Sequence, residues 1–215
     1  MNIEAYLFDL DGTLLDTLPD LVFLTNKVLV EWGFPEHTSE EVNSYVGNGA
    51  RMLLKRAVPE GTADQIVDDI MARWKALYPE YGHQYTTPYE GMPEALDALK
   101  SHGIKLGVLS NKFDAATQAV IAKHFPGVFD IVRGEAPDVP RKPDPTGLLN
   151  MARALGVKPE NVAYVGDSGS DMTVALRANA LPVGVVWGYR DRGELLECGA
   201  RVLVETPLDL VDLSI

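Results

Sequence analysis

The chain has 215 residues, 46% hydrophobic and 23% charged, a balance that supports a packed core in one large domain or a domain with an insertion. A formal net charge of −12 argues against nucleic acid and anionic membranes as partners, because both select basic surfaces, yet it leaves open a small anion held at a locally positive site. A single cysteine, Cys198, permits no intrachain disulfide, and the chain has neither a basic-then-apolar leader nor an apolar run of roughly 18 residues, so a cytoplasmic protein is expected.

The first element, Ala-Tyr-Leu-Phe from Ala5, reads as a buried strand that runs straight into Asp9 and Asp11. Side chains at i and i+2 of an extended chain point the same way, so both carboxylates are expected to face one spot. Their repulsion in a buried place calls for a divalent cation. Gly12 permits a sharp turn, and Thr13 adds a hydroxyl and an amide there. Apolar residues then recur at helical spacing from Leu18 to Trp32, and Gly33 stops that helix. Thr38 with Glu41 and Thr62 with Gln65 have the spacing of capping boxes, opening helices toward Val46 and Tyr78. Gly47-Asn48-Gly49 breaks the helices between them, and a further helix covers Arg51 to Val58.

Beyond Pro88 the pattern alternates. Helices are expected over Met92–His102, Asp114–His124, from Asp144-Pro145 to Leu155, over Ser170–Asn179 and over Glu194–Cys198. Strands are expected over Ile104–Leu109, Phe129–Val132, Val162–Val165, Val183–Trp187 and Arg201–Val204. Alternation of this kind implies right-handed crossovers and a parallel sheet. The fold class is therefore α/β, a Rossmann-like parallel-sheet core over residues 1–14 and 88–215. An all-helical domain, residues 15–87, is inserted after the first strand, with candidate hinges near Leu15 and Thr87. Cys198, at the end of a helix with no histidine nearby, reads as buried filler, and the four scattered histidines show no metal-ligand spacing.

Ligands of open parallel sheets sit beyond the carboxyl ends of the strands. Three strands here end in polar groups: Asp9 and Asp11; Ser110, Asn111 and Lys112; and Asp167 with Asp171 one turn later. Lys142 lies on a loop at the same edge, before Pro143. The set suits phosphoryl transfer with Mg²⁺, whose hard-oxygen preference makes Asp9 and Asp167 the natural ligand pair. A carboxylate can attack phosphorus if lysine, metal and amides neutralise the charge. Ser110 and the amide of Asn111 suit phosphoryl oxygens, Thr13 and Lys112 are expected to contact the substrate beside them, and Lys142 can balance both nucleophile and phosphate.

Asp9-Leu10-Asp11-Gly12-Thr13, Ser110, Lys142 and Gly166-Asp167-Ser168-Gly169-Ser170-Asp171 resemble the four motifs of the haloacid dehalogenase-like superfamily of phosphatases, over the whole chain. The inserted helices resemble its type 1 cap. The resemblance implies Asp9 as nucleophile and Asp11 as general acid and then base. It implies Mg²⁺ on the Asp9 side chain, the Asp11 backbone carbonyl and Asp167, with Asp171 in support. The second aspartate of the first motif separates the chain from true haloacid dehalogenases.

Asp16-Thr17-Leu18-Pro19-Asp20-Leu21, Val46-Gly47-Asn48-Gly49-Ala50, Ser110-Asn111-Lys112 and Arg141-Lys142-Pro143-Asp144-Pro145 resemble the phosphoglycolate phosphatase group within that superfamily. Ser110 stands where that group more often has threonine, and the loop from Arg133 to Arg141 is less typical of it. The implied reaction is hydrolysis of a small phosphorylated metabolite, 2-phosphoglycolate, by a monomer or homodimer. The rival readings are a related phosphatase of sugar phosphates, nucleotides or pyrophosphate, a phosphosugar mutase of the same fold, and a non-catalytic phospholigand-binding domain. Substrate choice is expected in the cap. There Gly47 and Asn48 lie in a glycine loop and Arg51 stands in a first helical turn, where it opposes the helix dipole unless a carboxylate partners it.

Overall fold

The computed structural model describes residues 2–213. They form two compact units, one drawn from Met1–Asp16 and Pro88–Ile215, the other from Thr17–Thr87. Met1, Ser214 and Ile215, which the expected domain limits include, lie outside the described residues.

The first unit begins with β1 (Ala5–Phe8) and the short β2 (Leu15–Asp16). The second unit carries four helices: α1 (Leu18–Glu31), α2 (Ser39–Tyr45), α3 (Ala50–Ala57) and α4 (Asp64–Tyr81). The return connection holds β3 (Thr87–Pro88). The first unit then continues through α5 (Met92–Ser101), β4 (Lys105–Phe113), α6 (Asp114–His124), β5 (Ile131–Glu135), α7 (Thr146–Leu155), β6 (Val162–Gly166), α8 (Gly169–Arg177), β7 (Leu181–Val185), α9 (Arg192–Glu197), β8 (Val202–Val204) and α10 (Asp209–Asp212).

Six strands form one parallel sheet in the order β5-β4-β1-β6-β7-β8. β1 lies between β4 and β6, so the strand order reverses there and a crevice opens beyond its carboxyl end. Alternate residues of each strand enter opposite faces. Tyr6, Phe8, Leu106, Val108, Ala163 and Val165 pack with Met92 and Leu96 of α5, Val120 of α6 and Leu210 of α10. Ala5, Leu7, Leu109 and Tyr164 pack on the other face with Leu148 and Met151 of α7 and Val174 of α8. Burial of each such leucine or phenylalanine stabilises the unit by roughly 1.5–3 kcal/mol. The near-continuous apolar runs follow from this cover on both faces.

The helical unit buries Leu24, Val28 and Leu29 of α1 with Leu54 of α3 and Val67, Ile70 and Trp74 of α4. The Thr38 box forms in both directions: the Thr38 amide donates to Glu41 Oε2 at 2.8 Å, and the Glu41 amide donates to Thr38 Oγ1 at 3.3 Å. Asp20, buried at the start of α1, accepts from the backbone amides of Gln84, Tyr85 and Thr86 and from the Thr86 hydroxyl.

Several boundaries differ from expectation. Thr62 does not cap α4; its hydroxyl donates to the Pro59 carbonyl at 2.6 Å, and Ala63 takes the cap position. α4 runs through Pro79 to Tyr81, because a proline that late removes only one bond of the ladder. β5 starts two residues later than expected, and the Phe129 ring ahead of it makes edge contacts with Phe8 and Phe125. β7 ends at Val185, which leaves Trp187 in a loop. Cys198 is half-buried, not buried.

Candidate active site

The first site loop forms because β1 stops at Phe8 and the chain curls around one carbonyl. The Leu10 oxygen accepts from the amides of Thr13, Leu14 and Leu15. Gly12 takes φ +82°, and a Cβ there would collide with Asp167 and with the Tyr189 ring, so both the turn and the packing demand glycine. The curl also separates the two carboxylates that an extended chain would have aimed together. Asp9 Oδ1 lies 2.8 Å from Lys142 Nζ, while Asp11 Oδ1 lies 2.8 Å from Lys112 Nζ. Thr13 is fully buried, and its hydroxyl donates to Asp167 Oδ1 at 3.4 Å, so it ties two loops together.

The second strand end is the last part of β4, whose pairing with β5 is irregular between Leu109 and Phe113. Ser110, Asn111 and Lys112 are all buried. Ser110 Oγ accepts the Lys112 amide at 3.2 Å, which leaves its O–H to donate elsewhere. Asn111 clamps the backbone of Lys142: Oδ1 accepts the Lys142 N–H at 2.7 Å, and Nδ2 donates to the Lys142 carbonyl at 3.2 Å. Lys142 precedes a cis bond to Pro143.

Lys142 is buried between two carboxylates, 2.8 Å from Asp9 Oδ1 and 2.6 Å from Asp171 Oδ1, with its ammonium 5.5 Å from the centre of the Tyr164 ring. Burial works against its charge, yet Asp171 and Asp9 hold its pKa well above the usual lysine range. Asp171 Oδ2 accepts from the amide and hydroxyl of Ser168, closing the N-terminus of α8. Asp167 accepts the Tyr189 amide at 2.7 Å. Burial, then Asp171 and Asp9, push the Asp167 carboxyl well above the usual carboxylate range. Burial likewise raises Asp9 to about 7, although Lys142 opposes it.

Carboxylate oxygens of Asp9, Asp167 and Asp171 lie within 4.8 Å of one another. Together with Asp11, four carboxylates here face two ammonium groups, Lys112 and Lys142, a surplus of two negative charges when all are ionised. Burial is the main cause of the raised Asp9 and Asp167 carboxyl groups, and the neighbouring carboxylates add to it. An all-oxygen donor set with excess negative charge fits a hard divalent cation.

The first unit thus brings Asp9, Asp11, Thr13, Ser110, Asn111, Lys112, Lys142, Asp167 and Asp171 to one edge of its sheet. Gly47, Asn48 and Arg51 belong to the second unit. There Gly47 and Gly49 have φ of +114° and +78°, and Asn48 Oδ1 accepts from Arg56 at 2.7 Å. Arg51 Nε donates to Asp68 of α4 at 2.7 Å, and Asp64 lies 3.7 Å from its other end. Two acids of its own unit, rather than a substrate, are therefore the carboxylate partners of Arg51 here.

Residues 187–189 also reach this edge, although the sequence pattern predicts Trp187 in a strand and marks neither Gly188 nor Tyr189. The Trp187 indole N–H donates to the Thr13 carbonyl at 3.0 Å, and the Tyr189 amide holds Asp167. A Cβ on Gly188 would collide with Asp167 and with the Gly12 carbonyl. The available signal was that β7 follows β6 in a parallel sheet, so the residues after it emerge at the same edge as Asp167.

Residues 6–185 match the family model of haloacid dehalogenase-like hydrolases. A phosphoglycolate phosphatase of Aquifex aeolicus (strain VF5) is 35% identical over 87% of this chain and 86% of its own length. A phosphoglycolate phosphatase of Nitrosospira multiformis is 33% identical over 95% of this chain and 92% of its own. The crystal structure of a predicted phosphoglycolate phosphatase from Haemophilus somnus 129PT matches with a TM-score of 0.93 at 25% identity, covering 100% of this chain and 99% of that one.

Proposed function

The chain belongs to the haloacid dehalogenase-like hydrolase family, and from that premise we propose that it is a Mg²⁺-dependent phosphomonoester phosphatase acting on 2-phosphoglycolate through an aspartyl-phosphate. The observation that supports this most is Lys142, buried between Asp9 and Asp171 in the carboxylate group completed by Asp167. The curated relatives named phosphoglycolate phosphatase, similar over most of both chains, support the substrate.

In this reading an Asp9 oxygen attacks phosphorus as the bond from phosphorus to the ester oxygen breaks. The leaving oxygen takes a proton from the Asp11 carboxyl. Water then attacks the phosphorus of the aspartyl-phosphate and gives its proton to Asp11, the bond to Asp9 breaks, and phosphate leaves. Lys142 offsets the repulsion between carboxylate and phosphate, and the Ser110 hydroxyl donates to a phosphoryl oxygen. The Asp9 and Asp167 side chains and the Asp11 carbonyl would hold Mg²⁺, with Asp171 in support through Lys142. The ion supplies charge neutralisation at the phosphoryl group. Gly47, Asn48 and Arg51 of the helical unit are the residues we assign to the substrate's carboxylate, for which Arg51 would exchange Asp68 and Asp64, while Asn111 and Thr13 hold Lys142 and Asp167 at the phosphoryl site.

The test is phosphate release from a panel of small esters. 2-Phosphoglycolate should give the highest kcat/KM, EDTA should abolish turnover and Mg²⁺ should restore it. An isomerised product without phosphate release, or preference for a sugar phosphate, would contradict the proposal.

A further inference from the structure

The two aspartates of the first loop are held by different lysines, and only one of those lysines belongs to the nucleophile. Lys142 binds Asp9, and Lys112 binds Asp11 at 2.8 Å. We infer that Lys112 is a positioning residue for Asp11, fixing its carboxyl group where it exchanges a proton with the leaving oxygen and then with water. This rests on the phosphatase reading above and goes beyond it, because the sequence places Lys112 only among groups that contact substrate.

The local structure fixes Lys112 before it fixes Asp11. Its amide donates to Ser110 Oγ at 3.2 Å, and its carbonyl accepts from Thr117 Oγ1 of α6 at 3.2 Å. The Lys112 side chain is 4% exposed and that of Asp11 15% exposed, so the ammonium is a buried charge with a carboxylate at hydrogen-bonding distance. A buried, paired charge is held far more tightly than a surface lysine, which exchanges partners with water. Asp11 itself follows the end of β1, in the curl closed on the Leu10 carbonyl, with an isolated bridge to Leu15. The ion pair with Lys112 gives its carboxylate a fixed direction. Proton transfer needs the carboxyl within hydrogen-bond reach of the reacting oxygen, and a misplacement of about 1 Å costs on the order of a hundredfold in rate.

The test uses Lys112→Met, Lys112→Arg, Asp11→Asn and the Asp11→Asn/Lys112→Met double variant on substituted phenyl phosphates whose leaving groups range from phenol to 4-nitrophenol. Lys112→Met should lower kcat/KM, which covers only the steps up to formation of the aspartyl-phosphate, about a hundredfold on phenyl phosphate and little on 4-nitrophenyl phosphate, whose leaving group needs no proton. Lys112→Arg, which keeps the charge, should recover part of the loss. The double variant should be no slower than Asp11→Asn alone, because the two residues act as one unit. A wild-type-like melting curve, with kcat/KM on 4-nitrophenyl phosphate retained, checks that Lys112→Met is folded. Equal losses of kcat/KM on both esters, no loss at all, or additive losses in the double variant would each overturn the assignment. If Asp11→Asn itself shows no leaving-group dependence, it is the acid–base reading of Asp11 that fails. If it does and Lys112→Met does not, only Lys112 is removed.

Discussion

Asn111 and Lys142, 31 residues apart, are joined by two hydrogen bonds, from the Lys142 amide to Asn111 Oδ1 at 2.7 Å and from Asn111 Nδ2 to the Lys142 carbonyl at 3.2 Å. One side chain at the end of β4 therefore fixes the loop that delivers the central ammonium. Asn111→Ala would leave both backbone groups unpaired and buried, at about 1–3 kcal/mol each. We expect a lower unfolding midpoint and a kcat reduced at least tenfold as Lys142 loses its place. Thermal unfolding and steady-state kinetics on the same preparation check this; wild-type kcat in a destabilised variant would assign Asn111 a purely structural part.

The buried carboxyl groups give the metal-free protein a defined pH dependence. Burial raises Asp9 from 3.8 to about 7 and raises Asp167 well above 3.8. A group whose folded pKa is raised contributes stability that is full below its unfolded pKa and lost as pH rises through its folded one. Stability without metal should therefore fall between about pH 4 and 7, by on the order of a few kcal/mol. Surface carboxylates held low by their partners, such as Glu31 beside Arg73 and Asp64 beside Lys55, act with the opposite sign and only around pH 4 and below. Mg²⁺ requires ionised ligands, so its stabilising effect should be larger at pH 8 than at pH 5. Melting curves in EDTA and in Mg²⁺ across this range provide the check. A metal-free midpoint that climbs from pH 5 to pH 8, or an equal Mg²⁺ shift at both, would count against the site.

Arg51 offers a test of where substrate choice resides. Its guanidinium is shared between Asp68 and Asp64 at the surface of the helical unit. Exposed pairs of this kind contribute little to folding, so Arg51→Ala should leave the melting point almost unchanged. If the cap reads the substrate's carboxylate, KM for 2-phosphoglycolate should rise about tenfold while 4-nitrophenyl phosphate is hydrolysed as before. Parallel behaviour of the two substrates would place specificity elsewhere.

Much of this was legible in the sequence because apolar runs and strand-end polar residues report on the sheet directly. Ala5–Phe8 is buried on both faces, so its run is unbroken, and Asp9, Ser110 and Asp167 follow strand interiors that read clearly. The pairing of charges was not legible. The extended-chain rule aims Asp9 and Asp11 at one spot, whereas three amides converging on the Leu10 carbonyl curl the chain and give each aspartate its own lysine. The clamp of Asn111 on Lys142 spans 31 residues, and no local pattern encodes it. Tyr189 acts on Asp167 through its backbone amide, a group that every residue but proline carries, so its identity gave no sign. Thr62 shows the opposite failure: the capping spacing was present, but its hydroxyl found the Pro59 carbonyl and the helix began without it.

The most direct test of the central claim is to trap the covalent intermediate. Wild-type protein given ³²P-labelled 2-phosphoglycolate and quenched in acid within the first turnover should carry an acid-stable, hydroxylamine-labile acyl phosphate on the peptide that contains Asp9. Asp9→Asn, whose amide cannot attack phosphorus, should fold and carry none. Label that persists on the Asp9→Asn variant, or that maps to another residue of the wild type, would contradict the account.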